Sequence, residues 1–151
     1  MIKRILDPEE YKKVIEDIDE LFIFENENQS HYYLKHSKDS ITNNFANKYI
    51  LAWDVFVWAN FNGEKYDALI IFINDKSVKF NESIFTEFLW LSKNPKAGYK
   101  LFKEAVKFAK EKEFKYICMS RVYKHPNSYQ VKNFYEKMDF KKDTQTFIGK
   151  L

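Results

Sequence analysis

Asn62-Gly63 separates two stretches of strand-like alternation, and no other dipeptide in the chain restricts the fold as much. Asn-Gly is favoured where consecutive residues must take positive φ, as in the two-residue turn of a β-hairpin. Before it, Leu51, Trp53, Val55, Val57 and Ala59 alternate with Asp54, Phe56, Trp58 and Asn60. After it, residues 66–73 return as the partner strand, and Asn74-Asp75-Lys76 reads as the turn that closes the pair. Residues 83–92, SIFTEFLWLS, form a further strand rich in β-branched and aromatic side chains. An antiparallel meander therefore occupies the middle of the chain.

On both flanks the period changes to that of a helix. Asp7 caps, Pro8 takes the first helical position and Glu10 stands three after the cap. Tyr11, Val14, Ile15, Ile18, Leu21 and Phe22 then share one face of a single helix. Residues 25–48 are polar and weakly periodic, a loop with room for a short helix, near a substrate opening. Lys93-Asn94-Pro95-Lys96 breaks the last meander strand, and a helix follows from about Ala97. Its buried face is Leu101, Phe102, Ala105, Val106, Phe108 and Ala109, with Lys100, Lys103, Lys107 and Lys110 outside. Residues 116–122 read as a short apolar strand, central and parallel to its neighbour, in which Cys118 would be buried. His125-Pro126-Asn127-Ser128 turns into a last helix with Val131, Phe134, Tyr135 and Met138 on one face, and residues 143–151 end the chain as a strand. The expected fold class is α/β: a single domain over 1–151, with a mixed, mostly antiparallel sheet containing a central parallel strand pair, flanked by helices.

Composition excludes several classes. At 151 residues, 45% hydrophobic and 19% aromatic, the chain is of single-domain size and lacks the signature of disorder. Three glycines and three prolines exclude collagen-like and linker sequences. One cysteine excludes a disulfide framework and a cysteine zinc knuckle, and points to a reduced, cytoplasmic setting. The opening MIKRILDPEEYKK has no apolar core of a signal peptide, and runs such as 68–73 are far too short to span a membrane. His31 and His36, five apart with no carboxylate pattern beside them, give no metal site. Charge is uneven: residues 93–151 carry +9 and residues 1–92 carry −6, within a net +3. The basic half suits a polyanion, either a phosphorylated cofactor, a nucleic acid or an acidic protein, and equally fits lysine coating two helices. Two arginines in all make base readout poor, so nucleic acid is not the favoured partner.

Three stretches resemble the GCN5-related N-acetyltransferase (GNAT) superfamily. Residues 85–112 follow the family's strand with a bulge, glycine-containing loop and helix, with Gly98-Tyr99-Lys100-Leu101-Phe102-Lys103-Glu104-Ala105 similar to its Gly-x-x-Leu-Leu-x-x-Ala pattern. Residues 116–120 match the following strand, and Asn133-Phe134-Tyr135-Glu136-Lys137-Met138-Asp139-Phe140 is close to the Phe-Tyr-Glu-Lys-x-Gly-Phe ending. The likeness covers 66–151 by motif and the first 65 residues by element order. The chain departs from the family at Lys96, where the loop has a middle glycine, and at Asp139, where the ending has a glycine.

The resemblance implies an N-acetyltransferase that uses acetyl-CoA as acyl donor and transfers the acetyl group directly to an amine, on a small molecule or a protein. A catalytically inactive binding or structural module is the alternative, and a homodimer is left open. The diphosphate would meet backbone amides of Lys96, Ala97, Gly98, Tyr99 and Lys100, with charge from Lys93, Lys96 and Lys100. Backbone groups of Leu89, Trp90 and Leu91 would face the pantetheine arm, and Asn127 or Ser128 would lie near the cofactor where the last helix is capped. Tyr135 would protonate the leaving thiolate and Glu87 would act as general base. Each has a plainer role open to it: helix-face packing for Tyr135, a solvated strand charge for Glu87, packing for Gly98, and capping for Asn127 and Ser128.

Overall fold

The computed structural model describes residues 1–28, 35–44, 54–77, 81–121, 126–143 and 149–151. Two compact units are present: Met1–Leu21 with Ser37–Ser120, and Phe22–His36 with Arg121–Leu151. The elements run β1 (Ile2–Ile5), α1 (Pro8–Asp17), α2 (Asp19–Glu27), α3 (Lys38–Asn44), β2 (Val55–Phe61), β3 (Tyr66–Ser77), β4 (Glu82–Ser92), α4 (Pro95–Glu111), β5 (Tyr116–Cys118) and α5 (Ser128–Lys137).

Among the described residues, the first unit is built on a five-stranded sheet in the order β1-β2-β3-β4-β5. The first four strands pair antiparallel, and β4 pairs with β5 in parallel. This is the expected mixed, mostly antiparallel α/β sheet, but among the described residues its parallel pair lies at one edge and not at the centre. The hairpin turns through the four residues 62–65 and not through a two-residue turn: Gly63 alone of the Asn-Gly pair takes positive φ, 109°, and Asn62 Oδ1 accepts from the amides of Glu64 and Lys65, both at 3.0 Å.

Helix α4 covers one face of the sheet, where Phe108 lies 5.0 Å from Phe56 and 5.3 Å from Trp58 between ring centres. Phe72 and Phe85 stack at 4.1 Å on that face, and Trp90 stacks on Phe102 at 5.9 Å. The intervening residues Val57, Ala59, Leu69 and Ile71 are equally buried. Tyr11, Val14 and Ile15 of α1 are buried where that helix meets β1 and β3. The alternation read around residue 55 is thus apolar on both sides because both sides are covered.

Several expectations are corrected. The first helix breaks at Ile18, and its continuation α2 runs through Glu27 into the segment read as loop. β1 was not expected; it pairs with β2, Ile2 opposite Asn60. Asn74-Asp75-Lys76 is strand, continuing β3 to Ser77 opposite Glu82. Helix α4 starts at Pro95, two residues before the expected Ala97. β5 has three residues instead of seven, and Cys118 is exposed, because β5 pairs only with Ile84–Thr86 of β4.

In the second unit, Asn26 and His36 exchange hydrogen bonds at 2.8 and 3.1 Å. Helix α5 carries the expected apolar spacing, but none of its residues is fully buried. Residues 149–151 are not strand. The expected roles of Leu51, Trp53, His31, His125 and residues 144–148 lie outside the described residues.

Candidate active site

Where β4 and β5 part, the sheet offers an arrangement that can bind and do chemistry. Register places Leu89 opposite Ile71 and Glu87 opposite Phe72, so Phe88 is an extra residue, a β-bulge. The bulge inverts the pleat. Phe85 packs on the α4 side before it and Trp90 after it, while Phe88 is left 45% exposed. Parallel pairing with β5 ends at Thr86 opposite Cys118. Beyond that point β4 has β3 on one edge and, among the described residues, no strand on the other.

Glu87 sits at this parting. The residue is half-buried, and its Oε2 accepts the Ser120 amide at 3.0 Å. Burial raises the Glu87 pKa above the usual glutamate value, and the hydrogen bonds from Ser120 only partly oppose the shift. The sequence carries no signal for Ser120, a backbone donor brought to β4 from just beyond the end of β5.

Past the bulge, Leu89 and Leu91 are buried by their side chains and Trp90 leans on α4. What these three residues can present to a ligand is backbone. Lys93 is drawn to Glu20 at 2.8 Å, and Glu20 also holds Lys65 at 3.2 Å. The two lysines keep the Glu20 pKa below its ordinary value.

The start of α4 is self-capped. Asn94 Oδ1 accepts from the amides of Lys96 and Ala97 at 3.0 and 3.4 Å, and the Gly98 amide donates to the Asn94 carbonyl at 2.9 Å. Ser92 Oγ in turn holds both the amide and the carbonyl of Asn94. Of the five amides expected to meet a diphosphate, those of Lys96 and Ala97 are held by the Asn94 side chain and that of Gly98 by the Asn94 carbonyl, while Tyr99 and Lys100 lie within a helix that already starts at Pro95. Gly98 lies against β4: a Cβ there would come 3.3 Å from Ser92 Cβ and 3.4 Å from Trp90 Nε1. Lys96 and Lys100 are exposed, and Tyr99 is partly exposed beside Lys103.

In the second unit, Asn127 precedes α5 but makes no side-chain cap hydrogen bond, and Ser128 is its first residue. Tyr135 lies in the last turn, its ring 5.8 Å from Phe134 and 5.5 Å from Phe140.

No family model matches the chain, and no curated protein matches it in sequence. Solved structures do. An aminoglycoside acetyltransferase from an uncultured soil metagenomic sample, crystallised with sisomicin, superposes with TM-score 0.68 at 13% identity, over 100% of this chain and 95% of that one. The ribosomal-protein-alanine N-acetyltransferase of Brucella melitensis gives 0.68 at 8% identity, over 100% and 99%. A protein described as a transcriptional regulator from Bacillus halodurans gives 0.69 at 13%, over 100% and 99%. The fold is the one these acetyltransferase structures share. At such identities the likeness establishes architecture, and function has to be argued from the site.

Proposed function

We propose that the chain is an acetyl-CoA-dependent N-acetyltransferase that moves the acetyl group directly onto an amine. The observation that carries this reading is the parting of β4 and β5, with a carboxylate of raised proton affinity beside a strand edge available to an extended ligand. A strand edge binds an extended, amide-bearing arm by β-type hydrogen bonds, which suits pantetheine along Leu89, Trp90 and Leu91. The diphosphate would take over the two amides now held by Asn94, with Lys93, Lys96 and Lys100 adding positive charge and Gly98 keeping the helix close to β4. Asn127 and Ser128 are proposed as further cofactor contacts.

In the reaction the amine nitrogen attacks the thioester carbonyl carbon, the C–N bond forms and the C–S bond breaks. Glu87 receives the proton lost by the ammonium, and the Tyr135 hydroxyl protonates the leaving thiolate. A glutamate with raised pKa is better matched to this proton transfer than an ordinary one. The acceptor is an amine on a small molecule or a protein, and the setting is the cytoplasm.

Acetyl-CoA at a hundredfold excess over its Kd should stabilise the native chain by about 2.7 kcal/mol, read as a rise in melting temperature. Tyr135→Phe should then lower kcat and leave that rise in place. The self-capped start of α4 favours a second reading, a GNAT-like module without catalysis. No thermal shift at millimolar acetyl-CoA would select it, and unchanged turnover in Tyr135→Phe would remove the acid role.

A further inference from the structure

Lys96, Lys100, Lys103, Lys107 and Lys110 follow one another at intervals of four, three, four and three along α4, which sets them in one row. All five are exposed, and among the described residues none of them forms an ion pair, whereas Lys12, Lys13, Lys38, Lys65 and Lys93 all do. Lys103 additionally lies 5.7 Å above the Tyr99 ring. Glu104 and Glu111 border the row, leaving five positive charges against two negative on this helix. Like charges three and four residues apart destabilise a helix by a few tenths of a kcal/mol per pair, so the row does not serve stability.

We propose that this face of α4 docks on the phosphate backbone of a duplex nucleic acid, with Lys96 and Lys100 shared between that contact and the proposed cofactor site. From Lys96 to Lys110 the row is about 21 Å long at 1.5 Å per residue. One strand of a duplex carries about six phosphates over that axial length, which five ammonium groups can match. The helix has no arginine, so the contact lacks the bidentate readout of bases and is independent of sequence. A bilayer is a poorer fit, because the apolar side of α4 that would enter lipid, including Leu101, Phe102 and Phe108, is already buried on the sheet.

Fluorescence anisotropy with random-sequence duplex DNA and RNA over a salt series tests this. The expected slope of log K against log salt is about −4.5, from five contacts at roughly 0.9 each. The triple variant Lys103→Gln/Lys107→Gln/Lys110→Gln, which avoids the lysines assigned to the cofactor, should bring the slope to about −2. Its melting temperature and its shift with acetyl-CoA should be retained, which separates failure of docking from failure of the transferase reading. Absence of binding at low salt, an unchanged slope in the triple variant, or tighter binding to phosphatidylserine vesicles than to duplex would overturn the proposal.

Discussion

The amide of Phe140 closes onto the carbonyl of Tyr135 at 3.0 Å, while their rings lie 5.5 Å apart. With Asp139 at φ 62° donating to the Glu136 carbonyl, this is a Schellman ending, in which the residue after the cap is left-handed and an apolar pair closes the turn. The Phe-Tyr-Glu-Lys-x-Gly-Phe pattern therefore has a local physical meaning: tyrosine and the final phenylalanine are the closing pair, and glycine is the left-handed position. Helix α4 ends in the same way, with Phe114 bonded to the Ala109 carbonyl, Glu113 at φ 61°, and the Phe114 ring 5.1 Å from Phe85.

Glycine should accordingly stabilise both endings. Glu113→Gly removes a left-handed side-chain penalty of roughly 1 kcal/mol and should raise the urea midpoint by a corresponding amount. Asp139→Gly should move the same way by less, since it also gives up the exposed pair with Lys141. A fall in the midpoint for Glu113→Gly would mean that its side chain contributes more than the backbone relief.

Asn94 links stability to the proposed diphosphate site. Asn94→Ala removes the oxygen that caps the Lys96 and Ala97 amides and should cost about 1 kcal/mol in the unliganded chain. The same change frees two donors, so acetyl-CoA should bind more tightly, and the melting-temperature rise at fixed ligand should exceed that of the parent. An equal rise in both proteins would place the phosphates elsewhere.

That cap was legible in the sequence. Asp7-Pro8 and Asn94-Pro95 are the same signal, and both oxygens hold the second and third helical amides. Both start helices, the second at Pro95 although the same residues also break β4. β1 left no local trace, because its four residues gain strand character only by pairing with β2, more than fifty positions away. The break at Ile18 was hidden by apolar residues that stay in phase through Phe22. The bulge was implied by the resemblance alone, since the regular spacing of Phe85, Glu87, Leu89 and Leu91 implies one face where the chain changes faces at Phe88. The sheet, its parallel pair and the main helices were legible, because periodicity reports burial. The Glu87–Ser120 contact was not, because pairing between distant strands creates it.

Gly98 reports how closely α4 approaches β4. Alanine gains roughly 1 kcal/mol of helix propensity, but its methyl group would press on Ser92 Cβ at 3.3 Å. Overpacking of this kind costs about 1–3 kcal/mol, and Ser92 belongs to a strand paired along β3 that yields little. Gly98→Ala should therefore be destabilising by about 1 kcal/mol in denaturant unfolding. A stabilised variant would show that the helix can withdraw from the strand.

Glu87 makes the pH prediction. Its folded pKa lies above the unfolded value because burial disfavours the carboxylate. A group of this kind favours folding below its unfolded pKa, near 4.3 for glutamate, and that contribution is lost as pH rises through the folded value. Glu87→Gln keeps an acceptor for the Ser120 amide and has no proton to lose. The variant should be more stable than the parent at pH 7, with the advantage shrinking as the pH falls toward 4. If Glu87 also serves as the base, the parent's kcat/KM should show an acid limb above the ordinary glutamate range, and the variant should lose that limb together with most of its rate. Retention of the limb in Glu87→Gln would assign it to another group, while the stability difference would still report the buried carboxylate.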